Sequence, residues 1–256
     1  MRAAAGASVS ILVSVLARRE RALSGSGSIA GAVMGTIALT AGWSWGVLLL
    51  SLFVAVSLLS RVGASQKAKR LNGLIEKGGE RDAAQIIANG AVFTIAALGS
   101  LIAPGTAWFA IGAGALSFSA ADTWATEIGT LSRRDPVSII NGRRVPTGTS
   151  GGISVLGTAG ALAGALFIGL EAVFAAWPVS LAGTIIGGVG AAFADSLIGA
   201  TLQTTRWCDR CNQQTERRVH DCGTPTRITG GIRWLDNDAV NALCSAIGAL
   251  IALVLR

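Results

Sequence analysis

Three carboxylates lie within sequence that is otherwise apolar, and they are the residues best suited to chemistry. Asp122 and Glu127 end the run "SFSAADTWATEIG" (117–129), and Asp195 has an equivalent place in "FADSLIGATL" (193–202). A carboxylate inside a membrane span is costly unless it is paired or hydrated, and the C-terminal end of a helix disfavours it further. These acids therefore predict a bound cation.

Segments rich in glycine and hydroxyl residues precede four of the apolar runs. They read "SGSGS" (24–28), "KGGERD" (77–82), "GTSGG" (148–152) and "ITGG" (228–231). At a helix N-terminus, exposed backbone N–H groups and the positive end of the helix dipole make an anion site. The sequence thus predicts cation-binding acids that face phosphate-binding helix ends.

Polar side chains recur at helical spacing after two of these segments, and one amide closes the run that carries Asp195. They are Arg81, Gln85 and Asn89; then Asn237, Asn241 and Ser245; and finally Gln203. Residues four apart lie on one helix face, so each set would point in one direction. The alternative is hydrogen bonding between helices, which such residues commonly provide in membrane bundles.

The cysteines and the single histidine fall into two groups. Cys208, Cys211, His220 and Cys222 lie in one polar loop and supply a Cys3His set that suits tetrahedral zinc. We therefore predict a small structural zinc knuckle within the loop 203–236, with solvated thiols as the alternative. Cys244 lies in the last apolar run, where we expect it to pack. A Ser/His/Asp hydrolase is disfavoured because no histidine is left for it.

The elements that position these residues are membrane-spanning helices. Of 256 residues, 51% are hydrophobic and 14% are charged, whereas soluble chains carry roughly 25% charged residues. Apolar runs predict an all-α bundle of eight spans near 4–18, 26–42, 43–60, 83–102, 105–127, 151–174, 179–201 and 239–255. A signal peptide is the alternative for the first run. The Ala-Asp-Ser/Thr sequence shared by positions 122 and 195 suggests repeated helical hairpins.

The basic residues are confined to alternate loops. Nineteen of the 21 lie in four loops, namely Arg18, Arg19 and Arg21; Arg61, Lys67, Lys69, Arg70, Lys77 and Arg81; Arg133, Arg134, Arg143 and Arg144; and Arg206, Arg210, Arg217, Arg218, Arg227 and Arg233. The positive-inside rule makes these loops cytoplasmic and puts both termini outside the cell membrane. This distribution explains the net charge of +7 without a nucleic-acid partner. Trp43, Trp45 and Trp177 would lie at the outer interface, with Trp207 and Trp234 at the inner one, and packing is the alternative for any one of them.

Several longer motifs resemble those of one known family. They are "ERDAAQIIANG", "ADTWATEIG", "VPTGTSGGISVLGTAGALAGA", "ADSLIGATLQ" and "WLDNDAVN", in this order over roughly residues 25 to 250. The chain resembles an integral-membrane family long called domain of unknown function 92, which includes the plant phytyl-phosphate kinase of vitamin E synthesis. The resemblance implies a kinase that converts a prenyl monophosphate, such as phytyl or geranylgeranyl phosphate, to the diphosphate with CTP or ATP.

Phosphoryl transfer needs a metal ion and cations around the transferred group. We therefore assign magnesium to Asp122 and Asp195. Asp238 and Glu127 are weaker choices, since helical spacing turns Glu127 about 140° from Asp122. The predicted phosphate-binding residues are Lys67, Lys69, Arg70, Arg81, Gln85, Asn89, Thr147, Thr149, Ser150, Gly151, Gly152, Gln203, Asn237 and Asn241. The prenyl tail would lie beside "GAVMG" (31–35), "GALAG" (160–164) or "GTIIG" (183–187), where small residues allow close packing or leave a slot.

Two other functions stay open at this point. A transporter or channel would use the acids as a cation path, although the outer halves of the spans hold little polar sequence beyond Glu171. A CTP-dependent lipid cytidylyltransferase would use the same magnesium and nucleotide parts. No GxxxxGK[ST] phosphate-binding loop is present, and the sequence leaves a homo-oligomer open.

Overall fold

The fold is a bundle of α-helices with small sheets in two of its loops. A computed structural model describes residues 2–71, 80–220 and 222–256. Within these residues the helices are α1 (Arg2–Arg19), α2 (Gly25–Ala41), α3 (Trp43–Arg61), α4 (Ala64–Leu71), α5 (Ala83–Ile102), α6 (Ala107–Gly129), α7 (Val155–Phe174), α8 (Leu181–Thr201) and α9 (Asn237–Val254). All of them except the short α4 match predicted spans.

Helices long and apolar enough to cross a membrane number five in the described part of the chain: α3, α5, α7, α8 and α9. Helix α2 is apolar but shorter, with 17 residues, and α1 and α6 are not among the five. The all-α transmembrane class is therefore confirmed, while the number of crossings and their orientation stay predictions.

Several helices begin where a capping side chain accepts from one of their first N–H groups. Ser24 accepts from the Gly27 N–H at the start of α2, so that "SGSGS" lies at a helix N-terminus as predicted, and Ser154 accepts from the Gly157 N–H at the start of α7. Asp82 and Asp236 cap α5 and α9 in the same way. A carboxylate cap already supplies the negative charge that a helix N-terminus favours.

These starts correct two of the predicted anion sites. The segment "GTSGG" (148–152) lies before the cap of α7 and "ITGG" (228–231) lies before the cap of α9, so neither opens a helix. Both belong instead to loop sheets, and the predicted span 151–174 starts as a helix only at Val155. The first three residues of "KGGERD" (77–79) lie outside the described residues.

Helix α6 occupies the centre of the bundle and packs against α3, α5, α7, α8 and α9. Its residues 112–121 are all buried. Small residues allow this crowding, because a Cβ on Gly164 of α7 would lie 2.6 Å from the carbonyl oxygen of Ala120. The acids near the end of α6 are therefore held at the meeting point of several helices.

The outward faces of the bundle are apolar and the aromatic centre is inside. Ile102, Phe174 and Val254 are among the large hydrophobic side chains that point outward. Trp45 and Trp177, by contrast, are buried, with ring centroids 4.5 Å apart. The predicted interfacial position is wrong for these two tryptophans, because Trp45 at the start of α3 packs against Trp177 just beyond the end of α7, whereas Trp43 and Trp234 are exposed.

Two small antiparallel sheets lie in the loops that follow the acid-bearing helices. After α6, β1 (Val137–Ser138) pairs with β2 (Gly152–Ile153). After α8, the strands β3 (Thr205–Cys208), β4 (Gln213–Thr215) and β5 (Arg227–Gly230) form a sheet in the order β4-β3-β5. The predicted repeat of hairpins stays a prediction.

Candidate active site

The two predicted metal-binding aspartates belong to neighbouring helices, α6 and α8. The Asp122 and Asp195 carboxylates are close enough to interact electrostatically, and the Cys244 thiol of α9 lies beside Asp195. Asp195 Oδ2 is buried and has no hydrogen-bond partner among the described residues. Two neighbouring acids with an unused oxygen are a suitable ligand set for a hard cation such as Mg²⁺.

Glu216 is a third carboxylate at this place, and sequence reasoning missed it. Its Oε1 accepts hydrogen bonds from Ser150 Oγ at 2.6 Å and from Gln203 Nε2 at 2.8 Å, and it interacts electrostatically with Asp195. Glu216 follows β4 and precedes Arg217 and Arg218. It is one of four acids in the loop 203–236, and nothing in the sequence distinguishes it from the other three.

The loop 147–152, which holds five predicted phosphate-binding residues, packs against the end of α8. Gly151 has φ +77°, and a Cβ there would lie 2.7 Å from the carbonyl oxygen of Ser196. The backbone N–H groups of Thr149 and Gly152 donate to the carbonyl oxygens of Pro146 and Thr149. The structure therefore brings this loop to Asp195, while two of its N–H groups are engaged within it.

The polar residues of α5 share one face, as predicted. Gln85 forms a capping box with Asp82, and the Asn89 amide nitrogen donates to the carbonyl oxygen of Gln85. Ser119 of α6 donates to the carbonyl oxygen of Asn89 at 2.6 Å. Asn89 Oδ1 is buried without a partner among the described residues. This face therefore adjoins the turn of α6 that carries Asp122.

A cavity of about 290 Å³ runs from this polar face into the apolar part of the bundle. Its polar end includes Arg81, Gln85, Asn89, Ser119 and Thr123. The rest is lined mainly by apolar residues of α1, α2 and α3, and the glycines and methionine of "GAVMG" (31–35) are among them. The other two small-residue motifs are used for close helix packing instead, as the contacts of Gly164 and Gly187 show.

Glu127 belongs to a separate charge cluster beside this cavity. Lys67 Nζ lies 2.5 Å from Glu127 Oε2 and also donates to the carbonyl oxygen of Leu59. Ser60 donates to Glu127 Oε1 and accepts from Arg81 Nη2 at 2.9 Å. Burial lowers the pKa of the Arg81 guanidinium, and the negative charge of Glu127 opposes that shift. Lys67 is thus in an ion pair, and Arg81 joins the cluster to the cavity.

Arg70 and Thr147 line a second, more open cavity of about 560 Å³ with Asp135, Arg144, Val145 and Pro146. The Arg70 guanidinium donates to the carbonyl oxygen of Ser132. Lys69 is exposed. This cavity lies on the loop side of the bundle, where its two arginines offer positive charge to an anion.

The start of α9 brings further predicted residues toward the acids. Asn237 and Asp238 lie in its first turn, and both are half-buried. Asn241 and Ser245 are buried, and Asn241 Oδ1 and Ser245 Oγ lack hydrogen-bond partners within the described residues. Since α9 packs against α5, α6 and α8, these groups are further polar atoms in the same part of the bundle.

The Cys3His residues converge at the edge of the three-stranded sheet. Their ligand atoms all lie within 4.8 Å of one another. Hydrogen bonds with Thr224 and His220 lower the pKa of Cys222 to about 6, and the Cys211 thiol, which makes a hydrogen bond with Cys222, has its pKa raised to about 11. Negative charge on one sulfur thus holds the proton on its neighbour.

Comparison with known proteins agrees with the motifs. The family description "Integral membrane protein DUF92" matches residues 8–249. Protein PGR of Arabidopsis thaliana is 28% identical over 91% of this chain and 88% of its own length. An uncharacterized membrane protein of Methanocaldococcus jannaschii is 33% identical, with 76% and 82% covered. Protein VTE6, chloroplastic, of Arabidopsis thaliana is 26% identical, with 91% and 65% covered.

No solved structure shows significant similarity to the chain. The match to the family nevertheless spans nearly the whole sequence and includes both acid-bearing helices, the loop 147–152 and the Cys3His loop. The family predicted from the motifs is therefore confirmed, and the chain belongs to the integral membrane protein family DUF92.

Proposed function

We propose that the protein is a membrane-embedded prenyl-phosphate kinase, which transfers a phosphoryl group from a nucleoside triphosphate to a prenyl monophosphate. The observation that carries this proposal is the interacting pair of Asp122 and Asp195, with Asp122 next in sequence to Thr123, which lines the polar end of the apolar cavity. Such a site accepts a molecule with one phosphorylated end and one hydrocarbon end.

The apolar cavity is the proposed site of the prenyl chain. Its polar end carries Arg81 and two amide side chains, which can bind the phosphate of the lipid. Ser119 and Thr123 of the same end are four residues apart on α6 and lie about 40° apart on one helix face, and Asp122 lies about 60° from Ser119 on the side away from Thr123. The lipid phosphate would thus lie near Asp122.

The open cavity is the proposed site of the nucleotide. Arg70 and Arg144 supply cations for a triphosphate. Thr147 lines this cavity, while Ser150 of the same loop contacts Glu216 beside Asp195. One short loop therefore runs from the proposed nucleotide site to the acid pair, where transfer of the phosphoryl group would take place.

Asp122 and Asp195 would hold magnesium, with Glu216 as a third carboxylate in place of the more distant Glu127. The buried, unpartnered Oδ2 of Asp195 fits such a ligand. A bound magnesium ion would neutralise charge on the donor phosphates. The chain itself would orient both substrates, and no strong general base is needed because a lipid monophosphate is already ionised.

The proposal is tested with purified protein, magnesium, CTP or ATP, and prenyl monophosphates of several chain lengths. We expect a prenyl diphosphate and a nucleoside diphosphate as products. Asp122→Asn and Asp195→Asn should each lower the rate at least about 100-fold while the protein stays folded. Glu20→Gln is the matched control, because Glu20 pairs with Arg61 at the surface, away from the acids.

The products distinguish this kinase from the other functions. Release of pyrophosphate with a CDP-linked lipid would identify a cytidylyltransferase and overturn the kinase. Ion flux in liposomes without phosphoryl transfer would identify a transporter. Full activity in both aspartate variants would refute the assignment of the acids, and unfolding of both would make them structural residues.

A further inference from the structure

We propose that Cys208, Cys211, His220 and Cys222 bind one structural zinc ion and that this ion holds Glu216 in place beside Asp195. The proposed zinc site depends only on the geometry of the loop 203–236. The contribution of Glu216 to catalysis, by contrast, rests on the proposed phosphoryl transfer.

The separations between the ligand atoms fit a single tetrahedral ion. The Sγ atoms of Cys208 and Cys222 are 3.6 Å apart, and His220 Nδ1 lies 3.4 Å from Cys222 Sγ. Bonds of typical length place two sulfurs about 3.8 Å apart, and a sulfur and a nitrogen about 3.5 Å apart, around tetrahedral zinc. Binding would release the thiol protons to water. The loop is therefore already arranged for the ion.

Residues around the ligands support this arrangement. His220 Nε2 lies 2.8 Å from Gln213 Nε2. With the Gln213 amide in its flipped orientation, its oxygen accepts a hydrogen bond from His220 Nε2–H, which leaves the Nδ1 lone pair toward the thiols. Arg210 donates to the carbonyl oxygen of Cys222. Three thiolates and one imidazole around Zn²⁺ carry a net charge of −1, which this arginine would offset.

The link to the acid pair is the short segment between the second and third ligands. Glu216 lies between Cys211 and His220, directly after Thr215, which is buried and pairs with Arg206 of β3. The sheet and the ion would thus fix both ends of the segment. From there the Glu216 carboxylate reaches Ser150 and Gln203 in the body of the protein.

Loss of zinc would therefore change the loop 147–152, which contains none of the zinc ligands. Without the ion, no cross-link joins the ligand side chains, and the segment gains conformational freedom that opposes the hydrogen bonds of Glu216. The loop 147–152 would then lose its contact through Ser150. Glu216 acts here as a positioning residue that joins the zinc-bound loop to the substrate-binding loop.

Metal analysis of the purified protein tests the proposed zinc site. Protein purified under reducing conditions should contain one zinc per chain, and Cys208→Ser and Cys222→Ser should each lose it. Cys244→Ser is the matched control for metal content, because Cys244 is buried in α9 outside the cluster. Wild-type protein without zinc, or Cys208→Ser with a full complement, would overturn the proposal.

Hydrogen exchange tests whether the zinc ion holds Glu216 in place. Removal of zinc by a strong chelator should increase exchange of the backbone amides of residues 147–152. Glu216→Ala should produce the same increase with zinc bound, whereas Glu216→Gln should not, because its amide oxygen can still accept both hydrogen bonds. Unchanged exchange after zinc loss would overturn the positioning role. An inactive wild-type protein with normal zinc and exchange would instead refute only the proposed kinase.

Discussion

The ion pair of Lys67 and Glu127 gives a quantitative test of how the bundle stabilises charge. The two side chains are 7% and 19% exposed, and Lys67 Nζ lies 2.5 Å from Glu127 Oε2. Lys67→Met leaves the carboxylate without its direct counterion, and breaking a buried pair costs about 3–5 kcal/mol. Ser60 and Arg81 still interact with Glu127, so we expect the lower end, about 3 kcal/mol, or about 10 °C in Tm.

The assay is thermal unfolding in detergent, followed by tryptophan fluorescence, for both single variants and the double variant. Lys67→Met combined with Glu127→Gln removes both charges, so the double variant should regain most of the lost stability. A double variant that is as unstable as the sum of the single variants would refute the pairing. If Lys67→Met keeps its stability but raises KM for the lipid phosphate, Lys67 instead has the phosphate-binding role predicted from the sequence.

Three further predictions concern orientation, the cavity and the loop. A cysteine at Ser65 should be labelled by an impermeant reagent only from the cytoplasmic side, and one at Thr106 only from outside; reversed labelling would overturn the orientation. Gly31→Leu should fill the apolar cavity and raise KM for long prenyl chains more than for short ones, whereas an equal rise would argue against tail binding there. Gly151→Ala should abolish activity, since φ is +77° and the loop packs tightly on α8, while Gly142→Ala, with φ +66° and open space, should cost only about 1 kcal/mol of stability.

Sequence reasoning predicted the features that depend on local pattern. Runs of apolar residues gave the helices, because each helix must satisfy its backbone internally and present apolar side chains to lipid. The recurrence of Asp122 and Asp195 in matching sequence predicted that they act together, and their electrostatic interaction agrees with this. The spacing of the cysteines likewise predicted the cluster of ligand atoms.

The features that depend on tertiary packing could not be predicted in this way. Glu216 reaches the acids only because β4 pairs with β3. This pairing brings Glu216 back to Gln203, just after the end of α8. The burial of Trp45 and Trp177 depends on the meeting of two helix ends far apart in sequence. The span predicted to begin at residue 151 begins as helix α7 at Val155, four residues later. The residues before it are uncharged and so resemble the helix in composition, but the start is set by the Ser154 cap.

The wall of the apolar cavity would have a consequence for how the proposed lipid substrate is chosen. Helix α1 packs mainly against α2, and together they supply much of the apolar lining, whereas the acids belong to α6 and α8. Under the proposed function, chain-length preference and reaction chemistry would therefore be encoded by different parts of the molecule. Substitutions in the first hairpin would then change which hydrocarbon is admitted, from within the bilayer, without disturbing the groups proposed to carry out the transfer.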